Sequence, residues 1–282
     1  MKKTSEELLN QGRIYKKEMD AVYCYVYNTE DYRKYAAMDA DSLMALAENN
    51  DGFALNELGD RYCYAIGLKE SNGKAIECYE KASELGVARA YTQLSFLYND
   101  ALVSKEDGER ALGTLKKAAE LGDVYAENYL SNCYLRGNGT EQDDRKCLYW
   151  LRKAANHGYY VALMNLAGYY DKQELMSNRD EICFDLHLKA VEAAEKSGIE
   201  EPSEYLARLY NSLGIYYDNV YEDPKEAIKW YKRAVDNNST LAKDNLESLY
   251  HDIFPSKSLY KELAYEIKKR VKWFIHDKKK CY

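Results

Sequence analysis

The residue types able to do chemistry are sparse and poorly spaced in this chain. Its four histidines, His157, His187, His251 and His276, are too irregularly separated for a zinc motif on one helix, and no HExxH or glycine-rich phosphate loop occurs. Ser71-Asn72-Gly73-Lys74 and Ser258-Leu259-Tyr260-Lys261 both match the spacing in which a lysine activates a serine nucleophile, but the companion SDN and KTG elements are missing. Two matches in one chain show how permissive that pattern is. Paired acids such as Asp143-Asp144 and Glu200-Glu201 fall in expected inter-helix turns, where capping and solvation account for them. Cys24, Cys63, Cys78, Cys133, Cys147, Cys183 and Cys281 show no regularly recurring pair, so they read as small buried thiols in a reducing compartment. No acid, base, nucleophile or metal set is assembled, and neither enzyme activity nor a cofactor is expected. An active site, such as a hydrolase's, would need residues distant in sequence to converge.

The spacing of the apolar residues says more. Ala54, Leu58, Tyr62, Ala75, Ala82 and Gly86 recur 36 residues later as Ala90, Leu94, Tyr98, Ala111, Ala118 and Gly122, then as Ala126, Leu130, Tyr134, Cys147, Ala154 and Gly158. A fourth copy is Ala162, Leu166, Tyr170, Cys183 and Ala190. A fixed period of this length marks a stacked array of supersecondary units. Steps of four residues within each copy place one apolar stripe on one helix, and a second stripe follows, so each unit is a helical hairpin. The small residues let the second helix approach the first closely. Ser71, Asp107 and Asp143 are placed to cap the second helices, with Asn178 or Asp180 serving in the fourth unit. The closing glycines end those helices, and Ala90, Ala126 and Ala162 are expected to open the next ones.

Beyond the fourth copy the glycine expected at Ala194 arrives at Gly198, which predicts a helix one turn longer. A fifth unit follows with Leu209, Leu213, Tyr217, Asp223-Pro224 as N-cap and N1, then Ala227, Tyr231 and Ala234. Ala242, Leu246 and Tyr250 open a sixth, which gives way after Pro255 to an amphipathic helix carrying Leu259, Leu263, Ile267, Val271 and Ile275. Ahead of the first unit, Leu43 and Leu46 form a half-repeat behind an N-terminal helix from about Ser5 to Tyr27. The expected organisation is therefore 1–50 as N-terminal helix and capping half-repeat, 51–198 as four repeats, 199–237 as a fifth, and 238–282 as a half-repeat with a basic capping helix.

Leu58-Gly59-x-x-Tyr62, Gly67, Lys74-Ala75 and Tyr79-x-Lys81-Ala82-x-x-Leu85-Gly86 resemble the Sel1-like repeat, a relative of the tetratricopeptide repeat. The third copy resembles it best, through Gly137, Gly139, Asp143, Lys146, Trp150, Lys153-Ala154-Ala155 and Gly158, whereas the shorter fifth unit looks closer to a tetratricopeptide repeat. The resemblance implies an all-α, right-handed α-solenoid of stacked antiparallel helix pairs that holds other proteins. It also implies that first helices line a concave groove, here through Phe53, Asn56, Asp60, Tyr64, Arg89, Thr92, Phe96, Asn99, Tyr125, Asn128, Asn132, Arg136, Met164, Arg208 and Asn211. Asn56, Asn128 and Asn211 share one repeat position, a partial ladder of amides able to hold an extended peptide, with Phe53, Phe96 and Tyr125 as anchors.

Charge and composition narrow the partner. Residues 256–282 carry nine Lys or Arg against three acids, so against a total of −7 the remainder stands at −13. That acidic bulk argues against nucleic acid. No stretch approaches the length of a membrane span, and the start of the chain lacks a signal-peptide core, so a cytoplasmic protein without a membrane partner is expected; the sequence leaves the oligomeric state open, with a monomer the default. The reading is a scaffold for a peptide or partner protein, or, more narrowly, a bacterial immunity-type protein neutralising one toxin or effector. Its 29 Tyr against 5 Phe suggest rings that straddle core and surface.

Overall fold

Two amphipathic helices per unit are what the spacing demands, and the computed structural model, which describes residues 5–100, 105–173, 176–199, 201 and 203–253, has them. Helices α1 (Ser5–Val26), α2 (Asp31–Ala36) and α3 (Ala40–Glu48) precede four hairpins. These are α4 (Gly52–Tyr64) with α5 (Asn72–Glu84), α6 (Ala88–Asp100) with α7 (Lys105–Glu120), α8 (Val124–Arg136) with α9 (Asp144–Asn156), and α10 (Tyr160–Asp171) with α11 (Arg179–Lys196). They are followed by α12 (Glu204–Asn219), α13 (Pro224–Asp236) and α14 (Thr240–Ile253). No strand occurs among the described residues. The chain is an α-solenoid of helix pairs that clusters into two compact units, Met1–Glu200 and Glu201–Tyr282. Among the described residues no helix is long and apolar enough to cross a membrane.

The small-residue positions lie where helices cross. Ala75, Ala82, Ala118, Ala154, Cys183 and Ala190 are fully buried, and Leu58, Leu94, Leu130 and Leu166 fill the space beside them. In the half-repeat, Leu43 of α3 packs on Ala54 and Leu58. Each second helix also packs against the next first helix within the first unit, so the core passes from hairpin to hairpin.

Local signals set the helix ends. Ser71 and Asp143 accept from the backbone N–H of Lys74 and Lys146, as N-caps do. Helix α7 begins at Lys105, so Asp107, expected as its N-cap, falls in the first turn, and its side chain lies outside the described residues. Asn178 stands before α11 without a side-chain cap bond. First helices also start two residues ahead of the alanines expected to open them. In α4 and α8 the reason is an added cap, since Asp51 and Asp123 accept from the N–H of Ala54 and Ala126. The closing glycines Gly86, Gly122 and Gly158 take φ of 85°, 87° and 79°, the left-handed region that ends a helix cheaply only for glycine. Helix α11 runs to 18 residues before Gly198, and Asp223 caps α13 ahead of Pro224. The helix expected at 259–275, the basic tail and Cys281 lie outside the described residues. The other six cysteines are unbridged.

Candidate functional site

The face formed by α4, α6 and α8 is occupied by α1. Arg13, Lys16, Asp20 and Tyr23 are spaced 3, 4 and 3 apart, so they share one stripe of α1, which Tyr27 continues four residues on, just past the helix end. That stripe meets three successive first helices in order. Arg13 donates to the carbonyls of Tyr64 (3.1 Å) and Ala65 (2.9 Å) at the end of α4. Gly12 lies on the Tyr64 ring so closely that an added Cβ would come within 2.5 Å of it. Lys16 pairs with Glu57 at 2.9 Å, with Asp60 at 3.9 Å and with its own helix's Asp20 at 2.7 Å. Arg89 of α6 then pairs with Asp20 (2.5 Å) and Asp60 (2.9 Å), under the rings of Tyr23 and Tyr32. At the far end the Tyr23 hydroxyl donates to Asp123 and its ring stacks on Tyr125, while the Tyr27 hydroxyl bridges the carbonyl of Gly122 (2.7 Å) and the N–H of Val124 (3.1 Å).

Burial sets the electrostatics of this seam. It disfavours the Lys16 charge, yet Asp60, Asp20 and Glu57 outweigh that and hold the ammonium above its ordinary value. Arg89 is held up in the same way by Asp60 and Asp20. Glu57 is pushed up by burial, with Lys16 opposing. Asp123, fully buried, is also raised by burial despite accepting from Tyr23, Thr92 and the Ala126 N–H. A further buried acid, Glu127 of α8, is raised by burial and clamped by Lys153 of α9 (2.9 Å) and by His157, which caps the end of that helix (3.1 Å). Every charge here faces an opposite charge or a donor, so the arrangement holds helices together. Among the described residues no group of His, Cys, Asp and Glu could hold a metal ion.

The structure distributes the sequence-predicted groove residues as follows. Asp60 and Arg89 form the ion-paired centre, Tyr64 lies under Gly12, Thr92 donates to Asp123, and Tyr125 stacks on Tyr23. Phe53 packs against Tyr32 and Tyr35 beside α2, and Phe96 meets Tyr129 edge-on. Asn128 accepts from Asn165 at 2.9 Å, and Asn132 donates to the Asn128 carbonyl at 3.2 Å. Asn211 accepts from Asn245 at 3.1 Å in the second unit, where Arg208 is exposed. The shared amide position therefore engages an amide about one repeat further along in two of its three members. The third, Asn56, is buried, and its Oδ1 has no hydrogen-bond partner among the described residues. Met164 is buried, Arg136 is exposed, and the Asn99 side chain lies outside the described residues. Sequence reasoning missed the α1 stripe. Its signal was the 3-4-3-4 spacing itself, carried by polar residues that read as a solvated face.

A scan against family models matches the Sel1 repeat at residues 52–87, 88–123, 124–159 and 205–239, about half of the chain. The last match falls on the α12–α13 pair. No curated protein matches the sequence. Among solved structures, a Sel1 repeat protein from Oxalobacter formigenes is 20% identical, with a TM-score of 0.62 over 90% of this chain and 99% of its own. The protein c5321, a protective antigen of uropathogenic Escherichia coli strains with an SLR fold, is 21% identical with a TM-score of 0.59. That match covers 74% of this chain but only 44% of the E. coli protein. At such identities the likeness concerns the fold. The immunity protein Pa5087 from Pseudomonas aeruginosa superposes more loosely, at a TM-score of 0.44 and 20% identity.

Proposed function

The chain belongs to the Sel1 repeat family, and from that premise we propose that it is a protein-interaction scaffold whose first-helix face holds a segment of a partner protein. Sel1 repeat proteins are generally of this kind. The observation that carries the reading is the seat itself: the face formed by α4, α6 and α8 already holds a polypeptide helix through ion pairs, hydrogen bonds and stacked rings. The proposed surface takes Phe53, Asn56, Asp60, Tyr64, Arg89, Thr92, Phe96, Tyr125 and Asn128 as its inner part, with Asn132, Arg136 and Met164 alongside; Asn99 belongs to it by its place in the repeat frame, and Arg208 and Asn211 hold equivalent repeat positions within the second unit. The recognition groups are charged and aromatic, the types that dominate binding energy where they are desolvated.

The test is capture of the partner from the native cell by the tagged full chain, followed by mass spectrometry. Arg136→Glu, exposed on the first-helix side, is expected to lose the captured protein, while Lys81→Glu, exposed on the second helix α5, retains it. Loss with Lys81→Glu and retention with Arg136→Glu would place binding on the opposite side and overturn the reading. A single toxin or effector among the captured proteins would narrow the scaffold to a neutralising role.

A further inference from the structure

The seat of α1 is not perfectly matched to α1. Asn56 is 2% exposed and Arg89 1% exposed, yet Asn56 Oδ1 and Arg89 Nε have no hydrogen-bond partner among the described residues. A buried polar atom left unpaired forfeits the hydrogen bond that water would give it, so these two atoms weaken the seated state of α1 relative to the open one. The seam is also polar. Lys16, Asp20, Glu57, Asp60 and Arg89 are buried ions, and removing water from ions offsets much of what their pairing contributes. Helix α1 is linked to α2 by residues 27–30 and packs on it through Tyr23 and Tyr32, ring centroids 4.7 Å apart, so its departure gives up that contact but opens none of the four hairpins.

The bare face prescribes what can occupy it. Glu57 and Asp60 call for a base, Arg89 for an acid, and Asp123, Tyr125 and the Gly122 carbonyl for phenols. These groups lie on or just before three successive first helices, α4, α6 and α8, and one helical stripe spans them all. We propose that the partner's contact segment is an amphipathic helix carrying a base, an acid four residues later, and tyrosines three and seven residues after the acid, as Lys16, Asp20, Tyr23 and Tyr27 are placed in α1. It takes the seat by exchanging with α1. The inference rests on the scaffold reading above and names the partner's chemistry.

A fluorescently labelled peptide of residues 5–27, added to the intact chain and followed by anisotropy, tests it. The double variant Arg13→Ala/Tyr27→Phe loosens the resident helix at two exposed positions, so the array stays folded. Because apparent affinity scales with the fraction of seats that are open, the peptide is expected to bind this variant about tenfold more tightly than the unaltered chain. Lys16→Ala or Asp20→Ala in the peptide should weaken binding, and Glu18→Pro, which breaks the helix, should abolish it. No peptide binding to either chain, both helical by circular dichroism, would overturn the exchange and leave α1 a permanent part of the array. Binding that survives Glu18→Pro would overturn the helical form of the ligand. A dimer formed by the double variant would make the occupant a second copy's α1 and overturn the partner assignment. Capture that still depends on Arg136 while the peptide fails leaves the scaffold reading standing, so the two can fail separately.

Discussion

Arg89 faces two carboxylates at once, Asp20 from α1 and Asp60 from α4, and is 1% exposed. Replacing it by Met keeps most of the volume but leaves both acids buried next to Glu57, with Lys16 facing all three and Arg61 paired only to Glu57 among them. Breaking a buried pair from one side costs about 3–5 kcal/mol, much of it the penalty of the charge left behind. Arg89→Met is therefore expected to lower the urea midpoint strongly. A midpoint within error of the unaltered chain would mean the seam is hydrated. The position of Arg89 was legible in sequence, because the repeat frame places it on the first-helix face. Its state was not. Its partner Asp20 lies 69 residues away on a helix outside the frame, and no periodic signal relates the two.

At the scale of elements, the hairpins were legible because one constraint repeats: a small residue where helices cross, a leucine and tyrosine beside it, and a glycine to close. Ala118 illustrates it, fully buried on α7 in one cluster with Leu115, Ala126 and Leu130. Ala118→Trp is expected to overpack the α7–α8 crossing and cost about 1–3 kcal/mol. Thermal melts followed at the helical band would show it, and an unchanged melting temperature would mean that the crossing lies elsewhere. The repeat alanines mark the helix starts two residues late because Asp51 and Asp123, which also lie in the repeat frame 72 residues apart, cap α4 and α8 ahead of them. The course of α1 was the least legible element. The sequence marks it only as an N-terminal helix ahead of the capping half-repeat, and a stripe of Arg, Lys, Asp and Tyr gives no apolar periodicity by which to tell a buried face from a wet one. Burial there follows from matching charges on other helices, and a single sequence does not display such matches.

For the whole molecule, the preference for tyrosine over phenylalanine makes stability sensitive to alkali. Tyr23 and Tyr79 are buried, each with its hydroxyl on a carboxylate, Asp123 and Asp60 respectively. Burial first, and then the neighbouring negative charge, raises both phenols well above the ordinary tyrosine value of 10. Tyr27 and Tyr32 are raised mainly by burial as well. Above pH 10 the unfolded chain releases these protons while the folded chain keeps them, so the folded state binds more protons and stability falls as pH rises. Each of the two fully buried rings, Tyr23 and Tyr79, contributes a loss of about 1.4 kcal/mol per pH unit between its unfolded and folded values. Lys16, raised above its ordinary 10.5, adds to the same trend, since the stability it contributes is lost as pH rises through its folded value. Tyr23→Phe isolates one ring. At neutral pH the variant should be the less stable protein, because Asp123 loses a donor and remains buried. Above pH about 10 the gap between the two should narrow, since only the unaltered chain has that proton to lose. Urea titrations at intervals from neutral pH to about pH 11 would measure this, and a constant gap across that range would show that the Tyr23 hydroxyl reaches solvent.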